Sequence, residues 1–362
     1  MHNLHAVVMA GGSGTRFWPA SRGHRPKQLL PLAQGKTLIA ATVDRVAPMV
    51  GIDRTWVVTN QTQAAAIAQA VPSLRADHIL VEPEARDTAP CVALAAAAVS
   101  ANDPSALMAI MPADQLIAPD AAFHALLRRG AALASDGKTL VTFGITPTRP
   151  ATGYGYIEVG ERVDRAEPAA HKVVLFREKP DRATAEGFLA SGRFLWNSGI
   201  FVWTTQALLA AMDLGAPDLA TTTRTMISAA RAGDRAGLEK AFLAARKVSV
   251  DFGVMEKAKQ VTVVRADLSW DDVGSFGTLA SVAGADAQGN VKFHNGGASI
   301  VLLETKDSTT YAEGKRTVTL FGVHDLVVVA VDDAVLVCPK DRAEDLKTLI
   351  GKLKELGRSD IL

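Results

Sequence analysis

Over the first 140 positions, short runs of aliphatic and β-branched residues alternate with longer stretches of helical spacing. Residues 5–10, 55–59, 78–82 and 106–111 read as strands. Residues 38–49 and 61–70, the Ala-rich stretch after Thr88, and 121–134 read as helices. This alternation predicts βαβ units and an α/β fold: a doubly wound, mostly parallel, Rossmann-like sheet covered on both faces. Runs at 139–145, 154–159 and 172–176 follow with little helix between them, as antiparallel additions to that sheet, before helical segments resume over 181–246. A cluster of Gly and Asn at 286–297 marks a boundary. The pattern thus predicts a catalytic domain over 1–285 and a small β-rich domain over 286–362. Strands are expected at 298–303, 317–320, 326–331 and 334–338, with a terminal helix at 342–356, and no internal repeat stands out.

Sheets of this kind bind ligands at the carboxyl ends of their strands, so the residues following each strand carry the most information. After the first strand comes Gly11-Gly12-Ser13-Gly14-Thr15-Arg16, continuing to Pro26-Lys27-Gln28. Glycines let backbone N–H groups approach phosphate oxygens, and Arg16 and Lys27 add charge, which together suit a triphosphate. The loop is no Walker A motif, because no Gly-Lys-Ser/Thr closes it. It is no dinucleotide fingerprint either, because Phe17 occupies the third glycine position. Asp114 in MPAD follows the strand at 106–111. It is placed either to hold Mg²⁺ over bound phosphates or to cap the next turn. In WDDVGS, Asp272 either completes that metal site or caps a helix from Ser275. Glu178, Lys179 and Asn197, with the GYGY segment containing Gly153, suit sugar hydroxyls and a monoester phosphate, and read equally as charge pairs and turns.

Composition narrows the class. With 39 Lys and Arg against 38 Asp and Glu, no overall basic field gathers nucleic acid or an anionic membrane. Two cysteines, Cys91 and Cys338, exclude a disulfide framework, and none of the eight histidines has a metal-ligand spacing. The start MHNLHAVVMAGG lacks the features of a secretory signal, and no apolar run spans a bilayer. A cytoplasmic location is expected.

Taken together, GGSGTRFWPASR with PKQ, EPEARDTAP, MPAD, GYGY, FREKP, WNSGIFVW, DFGVME and WDDVGS resemble the mannose-1-phosphate guanylyltransferases within the sugar-nucleotide pyrophosphorylases. The motifs stand in the family's order over residues 5–282. The resemblance implies a nucleotide-diphospho-sugar transferase fold, often followed by a small left-handed β-helix, and a homodimer. It implies that Gly11, Gly12, Gly14, Thr15, Arg16 and Lys27 hold the nucleotide phosphates, with Glu82, Arg86, Asp87 and Thr88 by the guanine. Asp114 and Asp272 would ligate Mg²⁺, and Gly153, Glu178, Lys179 and Asn197 would bind the sugar phosphate. Two positions depart from the family: Arg25 stands where an aromatic residue is common, and Asp87 where Asn is common. The implied reaction is GTP plus α-D-mannose 1-phosphate giving GDP-mannose and pyrophosphate, by Mg²⁺-assisted in-line attack on the α-phosphate, with Arg16, Lys27, Asp114 and Asp272 as catalytic residues. The alternatives are the same chemistry on a heptose or glucose 1-phosphate, and a regulatory subunit that binds nucleotide-sugar without turnover.

Overall fold

The computed structural model describes residues 3–12, 14–279 and 284–362. Strands β1 (Leu4–Ala10), β2 (Thr55–Asn60), β3 (Ile79–Glu82) and β4 (Leu107–Pro112) pair in parallel in the order β3-β2-β1-β4. Helices α1 (Leu38–Val50), α2 (Ala64–Ala70) and α3 (Thr88–Asn102) are the crossovers between them. Side chains along β1 alternate between two cores: Ala6 and Val8 pack with Ile39 and Val43 of α1, while Val7 packs with Val92 and Ala96 of α3. That is the double winding expected when a period of two meets helices on both faces. Helix α3 has no polar stripe, and its residues from Ala89 to Ala97 are all buried. Its Ala-rich face lets the neighbouring helix approach closely.

The chain continues through β5 (Leu116–Ala118), α4 (Asp120–Ala134), β6 (Leu140–Ile145), β7 (Tyr156–Arg162), β8 (Ala170–Arg177), α5 (Arg182–Ser191) and β9 (Phe194–Thr204). Then follow α6 (Thr205–Gly215), α7 (Pro217–Ala232), α8 (Arg235–Ala244), β10 (Val261–Ala266) and β11 (Ser269–Asp271). The full sheet reads β3-β2-β1-β4-β9-β6-β10-β8-β7, with β7 curling back to pair with the start of β9 as well. Following the pairings across it, β1–β4, β6, β7 and β10 run one way, and only β8 and β9 oppose them.

Helices at 182–191, 205–215, 217–232 and 235–244 match the helical segments expected over 181–246, but strand β9 among them was not expected, and a turn was one of two readings of 196–199. The residues of β9 are buried on both faces between β4 and β6, so no alternation betrays the strand. The Asn-Ser-Gly at 197–199 is a bulge: Thr142 pairs with Phe201 and Gly144 with Asn197, so four steps on β9 oppose two on β6.

Beyond residue 285 the strands β12 (Val291–Asn295), β13 (Ser299–Leu303), β14 (Thr309–Glu313), β15 (Thr317–Phe321), β16 (Leu326–Val331) and β17 (Ala334–Pro339) precede a terminal helix α9 (Leu346–Glu355). Val291 pairs with Thr309 and Thr309 with Val327, while Ser299 pairs with Thr317, all in parallel. Each step is 18 residues, so the chain climbs as a coil with a repeat that is structural and barely visible in composition. Strand β17 turns back antiparallel on β16 and ends the coil. Among the described residues no helix is long and apolar enough to cross a membrane.

Candidate active site

The carboxyl ends of β1, β3 and β4 open on a cleft of about 340 Å³, lined among others by Gly11, Gly12, Gln28, Glu82, Asp87 and Asp114. The glycine loop is shaped from beneath. Gln28 donates to the carbonyl of Ala10 (3.1 Å) and to Gln63 Oε1 (2.8 Å), while Thr59 Oγ1 donates to the same Ala10 carbonyl (3.0 Å). Gly14 has φ +61°, and a Cβ there would lie 2.5 Å from the Lys27 backbone nitrogen. Only glycine fits, and the contact sets how closely the loop approaches the Lys27 turn.

Lys27 is 8% exposed and all three of its ammonium protons are committed. Its Nζ lies 2.7 Å from Asp114 Oδ2, and donates to the carbonyls of Asp272 (2.8 Å) and Val273 (2.9 Å). Val273 has φ +51°, an unfavourable backbone for a β-branched residue, and its carbonyl is one of the two that meet the ammonium. Asp114 and Asp272 come near this common cation because β5 pairs antiparallel with β11, Leu116 opposite Asp271. Asp272 Oδ1 accepts from the Tyr154 hydroxyl at 2.7 Å. Each carboxylate therefore has one oxygen held by a donor on a fixed element. Arg16 is exposed, with Nη1 3.6 Å from where a Cβ on Gly274 would stand.

After β3, burial raises the Glu82 carboxyl to about 7. Asp87, at φ +70°, caps α3 by accepting from Thr88 N at 2.7 Å. Thr88 Oγ1 accepts from Val250 N (2.8 Å), and Arg86 donates to the Ala245 carbonyl (2.8 Å) and to Glu84 (2.8 Å). These bonds dock the Glu82-to-Thr88 segment on residues 245–250.

On the far side, the Asn197 backbone N–H donates to Gly155 O at 2.8 Å, and a Cβ on Gly155 would lie 2.5 Å from Glu178 Oε2. Glu178 is paired with Lys179 at 2.8 Å, and Lys179 has φ +44°. Asn197 Nδ2 donates to Asp251 Oδ1 at 3.0 Å, while its Oδ1 accepts from Thr142 Oγ1 at 3.1 Å. Burial, and then the Glu178 charge, raise Asp251 to about 7.

The sequence matches the model of the nucleotidyl transferase family over residues 5–289 and that of the MannoseP isomerase/GMP-like beta-helix domain over 298–353. It is 38% identical, over 99% of this chain and 75% of the relative, to a mannose-1-phosphate guanylyltransferase of Escherichia coli K12. The chain belongs to the mannose-1-phosphate guanylyltransferase family of nucleotidyltransferases. It is also 40% identical, over 99% of this chain and 75% of the relative, to the xanthan biosynthesis protein XanB of Xanthomonas campestris pv. campestris. A crystal structure described as a mannose-1-phosphate geranyltransferase from Thermus thermophilus superposes with a TM-score of 0.85 at 36% identity. The match covers 97% of this chain and 99% of that one.

Within this guanylyltransferase fold, Gly11, Gly12, Glu82, Arg86, Asp87, Thr88 and Asp114 line one cleft, with Lys27 tying Asp114 to the Asp272 turn. Glu178, Lys179 and Asn197 meet in a second group. Gly153 stays exposed in the preceding turn with no atom within 4 Å of a Cβ, and Gly155 is the glycine against Glu178. Thr15 is exposed at the start of the turn Thr15–Phe17. Three residues escaped the sequence reading as site members although they lay in quoted motifs: Gln28 in PKQ, Tyr154 in GYGY and Asp251 in DFGVME.

The C-terminal coil grips the outer limb of the glycine loop. Arg25 makes a two-pronged pair with Glu313 (2.7 and 2.8 Å), Arg22 meets Asp333 at 2.6 Å, and Trp18 Nε1 donates to Ile361 O at 2.6 Å. Phe17, Leu30 and Phe276 share one apolar cluster with Tyr311, Val329 and Leu346. The departure at Arg25 thus has a partner in the coil.

Proposed function

We propose that this protein transfers GMP from GTP to α-D-mannose 1-phosphate and releases pyrophosphate. The observation that carries the reading is the Lys27 ammonium, which ties Asp114, a residue of the glycine-lined cleft, to the Asp272 turn. The triphosphate would lie along Gly11, Gly12 and Gly14, with Arg16 and Lys27 on its charges and guanine towards Glu82, Arg86, Asp87 and Thr88. Because Lys27 has no spare proton, it meets a phosphate oxygen only by exchanging a partner. The Asp114 arm is the one to release, since Asp114 is 33% exposed and water replaces the lost contact. That exchange frees Asp114 Oδ2.

Asp114 lines the cleft and Asp272 stands on the turn that Lys27 joins to it, two hard-oxygen carboxylates of the kind that suits Mg²⁺, which takes one or two carboxylates and otherwise keeps water and phosphate oxygens. Asp114 and Asp272 would hold it, and the ion would supply charge neutralisation at the phosphates. The sugar 1-phosphate would bind with its hydroxyls towards Glu178 and Asn197 and its phosphate towards Lys179. Attack needs no protein base, since the phosphate is ionised at neutral pH. The chain's own contribution is to align two mutually repelling anions and to screen the developing charge with Arg16 and Lys27.

The division at residue 285/286 into a catalytic part and a C-terminal part, a cytoplasmic location and a homodimer belong to the same reading. The exposed row Val301, Leu303 and Phe321 on β13 and β15 is an apolar face on which a second copy would sit. The test is pyrophosphate release by purified protein with Mg²⁺, offering GTP, ATP, UTP and dTTP against mannose, heptose and glucose 1-phosphates. Release with GTP and mannose 1-phosphate alone is expected. Another productive pair would move the substrate assignment, and nucleotide-sugar binding without turnover would replace it with the regulatory reading.

A further inference from the structure

Asp251 belongs to the DFGVME segment, for which the reaction described above has no use. It opens a π-helical turn, Asp251–Met255, with Ser249 Oγ accepting from Phe252 N. Its carboxyl is wedged into the sugar group: Oδ1 holds Asn197 Nδ2 at 3.0 Å, and the charges of Glu178 and Lys179 both act on it. The charged groups around it come from three elements. After β8 there are Glu178, whose side chain is 8% exposed, and Lys179, paired with it; after β3, Asp87 acts on the same Lys179. From its own turn comes Glu256, whose Oε1 accepts from Glu178 N at 3.4 Å.

The Glu178 and Lys179 charges cancel within their pair, so ionising Asp251 adds a negative charge to those of Asp87 and Glu256 around a dianionic substrate. We propose that Asp251 is the positioning residue of the sugar group: neutral, it orients the Asn197 amide and admits the sugar phosphate beside Lys179; ionised, it repels that phosphate. The carboxyl sits close to the midpoint of this change near neutral pH, because burial and the Glu178 charge hold it at about 7. The proposal rests on the assignment of Glu178, Lys179 and Asn197 to the sugar 1-phosphate made above.

The experiment compares the full chain with Asp251→Asn, which keeps an acceptor for Asn197 without the charge, and with Asp251→Ala, which removes both. KM for mannose 1-phosphate and for GTP is measured from pH 6.5 to 8.5. The wild-type KM for the sugar phosphate is expected to rise about tenfold over that range while KM for GTP stays level, given one unit charge a few ångströms from a dianion. Asp251→Asn should keep KM low for both substrates and show only the small slope of the substrate's own second ionisation, which the comparison with wild type then cancels. Asp251→Ala should bind the sugar phosphate poorly at every pH.

A slope in Asp251→Asn as steep as the wild type's, or one that appears equally in KM for GTP, would overturn the proposal. A readout without substrate runs alongside. A carboxyl raised on folding makes the protein less stable as pH climbs from about 4 to about 7, so the wild type should lose more of its unfolding midpoint between pH 5 and pH 8 than Asp251→Asn. Equal losses would refute the titration itself. If a different sugar 1-phosphate proves to be the substrate, the mannose assignment fails while the same KM comparison is made with that sugar, so the two readings fail separately.

Discussion

Replacing Lys27 by Met tests the centre of the site, because it removes one charge and three donated protons while keeping a side chain of similar length. The Asp272 and Val273 carbonyls each lose a buried partner, at about 1 kcal/mol apiece. Asp114 loses its ion pair but is a third exposed and rehydrates, so that loss is discounted to about 1 kcal/mol. The total of about 3 kcal/mol corresponds to a fall of roughly 4 °C in unfolding midpoint for a chain of 362 residues. Catalysis should suffer more than folding. Loss of a cation positioned at developing charge costs on the order of 10² to 10³ in kcat, read by pyrophosphate release under saturating substrates. Thermal unfolding and the rate are measured on the same preparation, with circular dichroism to establish that the fold is kept. A variant within 1 °C of wild type and within threefold in kcat/KM would refute the claim that the Asp272 turn and Asp114 are organised around this ammonium.

Three further perturbations probe the surroundings. Gly14→Ala forces a left-handed residue, at about 1 kcal/mol, and drives a Cβ onto the Lys27 backbone; KM for GTP should rise at least tenfold, and an unchanged KM would mean the loop does not hold the nucleotide. Glu82 is raised to about 7 by burial, so it destabilises the fold progressively as pH climbs from about 4.5 to about 7. Glu82→Gln should therefore gain about 2 kcal/mol on the wild type between pH 4.5 and pH 8 in denaturant titrations, whereas a constant difference would show that the carboxyl is well solvated. Arg25→Ala and Glu313→Ala should show a coupling of about 1–2 kcal/mol in a double-mutant cycle of stability, with KM for GTP raised by either; full additivity would mean the coil does not brace the loop.

What was legible in the amino-acid order was local. A strand, a glycine turn and a helix follow one another within 50 residues, so β1, the glycine loop and α1 announce themselves through periodicity and through residue types that suit anions. The motif series carried the family, and the short carboxylate segments marked where chemistry would sit. Which of them meet was decided by tertiary structure. Lys27 reaches Asp114 and a carbonyl 245 positions away only because β5 pairs with β11, and Tyr154 meets Asp272 across 118 positions. Strand β9 stayed hidden because a strand covered on both faces has no polar alternation, and its bulge carries the residues of a turn. The C-terminal β-helix was expected from the family resemblance, but its 18-residue repeat stayed hidden because it lies in backbone pairing, which many side chains satisfy. Arg25 reads as a departure from its family until its partner arrives from 288 residues downstream. Periodicity records which face of an element is buried; the partner a charged group finds depends on strand order and on where the chain crosses back, and neither leaves a local signature.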